Sequence, residues 1–432
     1  MRSIAALLLF GLAAGAQAQL NEDESAMAAW IDGQTNEIEA LVERLVNLNS
    51  GTMNHAGVRE VGAILGTELS TLGFETEWID LPAEVERAGH LFGRREGTHG
   101  KRLLLIGHLD TVFEPDDAFQ DFLRDGSWAS GPGSVDMKSG DVVMIYALKA
   151  LAQIGVLDGT QIVVAYTGDE ESVGSPLDVS RADLVEAGHW ADVALGFEYG
   201  VRDAEAEWVT TARRSSSGWR LEVTGRQAHS SLVFSDDVGS GAIFEASRIL
   251  AAFYESVRGE RYLTFNAGTI LGGTDVDYDF QTTRGEAFGK TNIVPRRVVA
   301  HGGIRAISEE QLERARDAMR AVVAEHLPHT NAEITFTDRY PAMSPTTGNA
   351  QLHTMLSAIS EELGGGALPA LDPSRRGAAD ISFVAPYTDA LAGLGGQGEN
   401  MHSPNERLDL DSLPTAVKRA AILIYRLTRE GA

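Results

Sequence analysis

Cysteine is missing from all 432 positions, so neither disulfides nor a lipid-anchoring thiol is available. Basic side chains are scarce as well, with 36 Lys and Arg against 62 Asp and Glu, a formal charge of -26. An acidic chain repels phosphate backbones, which argues against nucleic acid as a partner and fits the solubility needs of an exported protein. Long apolar runs are absent too. The longest, Ile4 to Ala14, is too short to span a bilayer, and no later segment reaches the roughly 20 apolar residues required. Proline is sparse at 13 against 46 glycines, and 43% of side chains are hydrophobic. That balance excludes long disordered tracts and leaves enough chain for two domains.

Arg2 precedes the Ile4–Ala14 stretch, and Ala16-Gln17-Ala18 follows it as a small-residue cleavage site. The pattern predicts a signal peptide over residues 1–18, cut after Ala18, and a periplasmic or secreted protein with no membrane insertion after cleavage. Arg2 is the only charged residue among those eighteen, so the mature chain would carry -27.

From residue 19 to about 212, strand-like and helix-like segments alternate as in an α/β layer structure. Arg102–Ile106 (RLLLI) reads as a buried strand and runs into Gly107-His108-Leu109-Asp110. Asp136, in GPGSVDMKSG, opens a segment with helical apolar spacing that Gly155 ends. Gln161–Thr167 (QIVVAYT) leads into Gly168-Asp169-Glu170-Glu171, and Asp192–Phe197 (DVALGF) leads into Glu198. His108, Glu171 and Glu198 therefore fall at the carboxyl ends of strands, where open α/β sheets place their binding crevice. After Ala212 the texture changes to alternating strands (WRLEVTG, AEITFTD) and two helices, which predicts an inserted α+β domain with a one-sided sheet. From Ala342 the chain returns to the first domain with two further helices.

His108, Asp136, Glu171, Glu198 and His402 (in ENMHSPNE) form a ligand set for two divalent ions. Two imidazoles with three carboxylates suit zinc, with cobalt or manganese as substitutes, and disfavour calcium. Three carboxylates and one hydroxide balance the four charges of two such ions, which requires one carboxylate to bridge. Asp136, a short side chain in a Gly-rich turn, is the bridging choice for ions about 3.5–4 Å apart. Asp110 would orient His108, and Glu170, the unliganded acid beside Glu171, would act as general base and then general acid.

Together these motifs resemble the M20 metallopeptidases, nearest to glutamate carboxypeptidase and aminoacylase-like members, over nearly the whole mature chain. The resemblance implies that His108 and Glu198 hold one zinc, Glu171 and His402 the other, and Asp136 both. It implies a zinc-exopeptidase-like catalytic domain in two parts, 19–212 and 339–432, with a mixed sheet. Between them, 213–338 would be a smaller lid used for homodimerisation. His229 (TGRQAHSS) matches the family's oxyanion-stabilising lid histidine, and Asn292 (KTNIVP) a lid residue near substrate. Gly377 to Asp380 match a substrate-facing loop, where Arg375 or Arg376 would hold a substrate carboxylate. The lid departs from the family pattern at Ser230-Ser231, which replace the usual Ala-Gly, and at Gly303, which replaces an Asp.

Duller readings apply elsewhere. His90, His189 and His353 read as surface or satisfied core residues, and Arg213-Arg214 as a surface basic pair. The expected function is hydrolysis of an amide or peptide bond in small peptides or N-acyl amino acids, through a metal-bridging hydroxide with Glu170 as base. An aminopeptidase of the same family is the near alternative. A periplasmic binding protein is the distant one, since a pure binder has no use for Glu170.

Overall fold

The computed structural model describes residues 19–280 and 282–429; the signal peptide expected over 1–18 lies outside them. In chain order the first part holds β1 (Glu75–Ile79), β2 (His90–Arg95), β3 (His99–His108), α1 (Ser139–Gln153), β4 (Thr160–Thr167) and β5 (Val193–Gly196). The inserted part holds β6 (Ser216–Gly225), α2 (Ala242–Ser256), β7 (Thr264–Gly273), β8 (Arg297–Arg305), α3 (Glu309–Ala324) and β9 (Thr330–Tyr340). The chain then returns through β10 (Asp389–Ala392) and α4 (Leu413–Arg429).

The main sheet has the order β1-β2-β4-β3-β5-β10. Its strands β4, β3, β5 and β10 are parallel, while β1 and β2 join antiparallel at the edge. A parallel sheet is covered on both faces, so its strands are apolar on both. Leu103, Leu105, Ile162, Val164 and Leu195 belong to one buried cluster, and Leu104, Ile106, Val163, Ala165 and Ala194 to another on the opposite face. Helix α1 is buried almost throughout and packs on α4, whose apolar stripe from Leu413 to Leu427 is its partner.

The inserted part has its own antiparallel sheet, ordered β7-β8-β6-β9. Strand β6 alternates buried and half-exposed residues along Ser216–Val223, the signature of a sheet covered on one side. Trp219, Leu221 and Val223 meet Ala246, Ile249 and Phe253 of α2 and Leu312, Ala315 and Met319 of α3 in a separate core. The architecture is therefore α/β with a mixed sheet and an α+β insertion. No helix among the described residues is long and apolar enough to cross a membrane.

Candidate metal centre

The ends of adjacent strands β4, β3 and β5 deliver Glu170 and Glu171, His108, and Glu198 to one edge of the main sheet. Asp136 comes from the turn before α1. Gly133 makes that turn with φ +70°, and a Cβ there would lie 2.4 Å from the Thr111 side chain. The Val135 and Asp136 amides both donate to Glu406 Oε1, at 2.7 and 3.1 Å, which holds the Asp136 backbone from behind.

Asp136 lies between two histidines. Its Oδ1 is 3.3 Å from His108 Nε2 and its Oδ2 is 3.2 Å from His402 Nε2. His402 Nε2 is also 3.2 Å from Glu171 Oε2. One ligand atom each from His108, Asp136 and Glu171 fall within 4.8 Å of one another. His108 Nε2 and Glu171 Oε1 are buried without a hydrogen-bond partner, a costly arrangement that a cation bound among these donors would relieve. The oxygen and imidazole donors suit a borderline divalent ion, so the residues fit the group that the sequence implies.

The electrostatics agree with that fit. Burial opposes ionisation of Asp136, but His108 and His402 outweigh it and hold the carboxyl well below the usual range. Burial likewise disfavours an imidazolium at His108, yet Asp110 and Asp136 hold its pKa well above the ordinary value. His402 is raised to about 10 by hydrogen bonds to Asp136 and Glu171, and burial pushes Glu171 up to about 7. Protons and metal ions compete for such a set.

Glu170 is the acid left without a ligand-set partner. Burial raises its carboxyl well above the usual range, with Glu198, Asp380 and Glu171 adding to the push and His108 opposing it. Its backbone is held on several sides. Asp110, fully buried, accepts from the Glu170 amide at 2.9 Å and the Glu171 amide at 3.1 Å, and Thr52 Oγ1 donates to it at 2.6 Å. His90 Nδ1 accepts from Gly168, while buried Arg181 binds Asp169 and Asp380.

Several residues stand differently from the sequence reading. The His108 ring meets Asp110 twice, at its peptide carbonyl, 2.9 Å from Nδ1, and at its carboxylate, 3.5 Å away, which also accepts from the Glu170 and Glu171 amides. Glu198 is not within the His108–Asp136–Glu171 triad. Its Oε2 faces Arg213 Nη2 at 2.6 Å and Arg376 Nη2 at 3.1 Å. Arg213 is thus no surface residue: it is 2% exposed, because the Glu198 carboxylate balances its charge in the interior. Arg376, expected to face a substrate carboxylate, is also buried and lies over the Tyr199 ring, while exposed Arg375 pairs with Asp203 at 2.9 Å.

Gly377 is exposed, and its carbonyl accepts from Arg213 at 3.0 Å. His229 and Asn292 are brought together on the inserted domain, where the Ser230 amide donates to the Asn292 carbonyl. Both are exposed, and the His229 ring bonds Ser231 rather than the cluster. His90, by contrast, is the satisfied core histidine expected. Thr52, Arg213, Tyr340 and Glu406 were not found from sequence. Only Glu406 carried a visible signal, four residues after His402.

Comparison with known proteins bears on this site. Residues 104–426 match the sequence model of peptidase family M20/M25/M40. The chain is 28% identical over 431 residues to carboxypeptidase G2 of Pseudomonas sp. (strain RS-16), covering 98% of this chain and 97% of the relative. It is 28% identical over 386 residues to a succinyl-diaminopimelate desuccinylase of Dinoroseobacter shibae, covering 87% and 95%. Among solved structures, the fold is similar to aminopeptidase PepT of Bacillus cereus, with a TM-score of 0.70 at 18% identity over 91% of this chain and 98% of that one. It is similar also to a dinuclear metal binding M20 peptidase of Bacillus subtilis, with a TM-score of 0.63 at 14% identity over 93% and 99%.

Proposed function

Because the chain belongs to peptidase family M20/M25/M40, which makes it a metal-dependent hydrolase, we propose that it is a two-zinc enzyme of the carboxypeptidase or acylase type. Its substrates on this reading are small peptides or N-acyl amino acids. The observation that carries the reading is Asp136, whose two oxygens address two different histidines. His108 and Glu198 would hold one ion, Glu171 and His402 the other, with cobalt or manganese able to replace zinc. When bound, the two ions polarise the scissile carbonyl and make water more acidic. Glu170 then takes the proton of the attacking water and passes it to the departing nitrogen, so the two half-steps balance. His229 and Asn292, exposed on the inserted domain, would complete the site of a partner copy. Phe234, Phe244 and Phe288, each more than half exposed on that domain, support a homodimer. The signal peptide expected over residues 1–18 supports a periplasmic or secreted protein.

The relatives named carboxypeptidase and desuccinylase favour an acyl-amino-acid substrate over a free-amine one. The test is a panel of N-acyl amino acids, C-terminal glutamyl dipeptides and aminoacyl amides, run on zinc-loaded protein and on Glu170→Gln. Turnover of carboxylate-bearing substrates, reduced on the order of a thousandfold in the variant with metal content unchanged, is expected. Turnover of free-amine substrates alone would replace this reading with an aminopeptidase, and tight capture without turnover would replace it with a binding protein.

A further inference from the structure

The chain crosses between the two domains twice, and each crossing carries one side chain into the metal centre. At the first crossing Arg213 sends Nη2 to Glu198 Oε2 at 2.6 Å and Nη1 to the Gly377 carbonyl at 3.0 Å. At the second, Tyr340, the last residue of β9, donates its hydroxyl to the Glu170 carbonyl at 2.7 Å. The two crossings are stitched to each other. Arg213 and Met343 exchange both backbone hydrogen bonds, at 2.9 and 3.0 Å, and Ser216 pairs with Tyr340 where the β6–β9 register shifts.

Both side chains are anchored on the catalytic side. Arg213 is a buried cation whose charge is balanced by Glu198, so swinging away would strand its guanidinium unpaired in the interior and leave Glu198 to Arg376 alone. The Tyr340 ring packs on Phe383, with centroids 5.0 Å apart. Beside the second crossing a cleft of about 440 Å³ separates the domains, with Arg181, Val185 and Tyr387 on the catalytic wall and Leu312 and Tyr340 on the inserted one. The cleft leaves space between the domains beside the crossing, and Arg213 and Tyr340 tie the two crossings to Glu198 and Glu170, at the ends of the two strands that flank β3.

We propose that Arg213 and Tyr340 are positioning residues, through which the orientation of the inserted domain sets the placement of Glu198 and Glu170. Chemistry at such a site is steep in geometry, since displacement of a reacting group by about 1 Å costs roughly a hundredfold in rate. A few residues at element ends commonly serve as the hinge of a domain closure. The proposal rests on the roles proposed above for Glu170 and Glu198.

The experiment uses the full zinc-loaded chain with Tyr340→Phe, which keeps the ring and removes only the hydroxyl, and Arg213→Lys, which keeps the charge and removes the fork. Each is read for kcat and KM, metal content and amide hydrogen exchange at Glu170-Glu171. The cysteine-free background also allows a clean label pair at Glu60→Cys and Glu255→Cys, exposed sites one on each domain. Tyr340→Phe is expected to lower kcat ~10- to 100-fold with KM within about twofold and metal content kept. Exchange at Glu170-Glu171 should quicken and the label distance should broaden. An unchanged kcat, or a loss of kcat that tracks loss of metal, overturns the proposal. Should Tyr340→Phe fail to fold, Arg213→Lys decides it by the same split. Should the wild type hydrolyse nothing in the panel, the function reading fails on its own, and exchange and label distance still decide whether the crossings control the centre: both unchanged in the variants sinks it.

Discussion

At the scale of single residues, chemistry was more legible than contact. His108, Asp136, Glu171 and His402 could be picked out because each lies at a strand end or in a turn that the local sequence displays. The partners of those residues could not, because they arrive from far along the chain. The Asp110 carboxylate caps amides sixty residues away, and Arg213 finds Glu198 only because the start of the inserted domain folds back on β5. Asp141, also unremarked in the sequence, is fully buried with neither oxygen hydrogen-bonded. Burial raises its carboxyl well above the usual range, Asp110 adds to this, and His108 and Lys138 oppose it. A raised carboxyl means that above pH ~4 the folded chain holds a proton that the unfolded chain has released. Stability from this group is therefore full below that pH and is lost as pH rises toward the folded-state pKa, at up to about 1.4 kcal/mol per pH unit. Asp141→Asn removes the titration. In chelator-treated protein its melting temperature should match the wild type near pH 4 and exceed it increasingly at higher pH; a difference that stays flat across that range would refute the argument.

At the scale of elements, the parallel strands announced themselves because burial on both faces leaves continuous apolar runs such as LLLI and IVVAY. The four-residue β10 (DALA) did not, being too short for any period to show. The hairpin Asp275–Asp279 with Arg284–Phe288 was hidden too, because its residues are mostly exposed and its sequence alternates charge with single apolar side chains. Close approach between elements is equally silent in sequence. Gly140 opens α1 against the end of β5, and a Cβ there would lie 1.9 Å from the Phe197 carbonyl oxygen. That atom is backbone, next to Glu198, so it cannot rotate away. Gly140→Ala should push α1 off the strand end, destabilise the protein by about 1–3 kcal/mol or more, and spread Asp136 from Glu198. Calorimetry and zinc titration of the variant would show both losses together. Unchanged stability and zinc affinity would mean that α1 and β5 tolerate a wider spacing than the structure gives them.

At the scale of the whole molecule, the change of texture after Ala212 indicated an inserted domain, while its independence became visible only in the packing. Its core draws on Trp219 through Val323, and the core of the main sheet shares none of those residues. The ends of the insertion are neighbours, since Ser216 and Tyr340 pair across β6 and β9. A unit with its own core, about 125 residues long and with adjacent termini, meets the ordinary conditions for folding alone. Residues 216–340 expressed by themselves should therefore unfold cooperatively in urea, with a midpoint followed equally by circular dichroism and by Trp219 fluorescence. The remaining chain, 19–214 joined by a short Gly-Ser linker to 342–429, keeps every proposed metal ligand and Arg213 but loses Tyr340. It should retain two zinc ions while hydrolysing far more slowly than the intact protein. Cooperative folding of the excised piece together with full activity of the remainder would show that the insertion is independent in folding and idle in catalysis. Loss of metal from the remainder would show instead that the two domains share the stability of the centre.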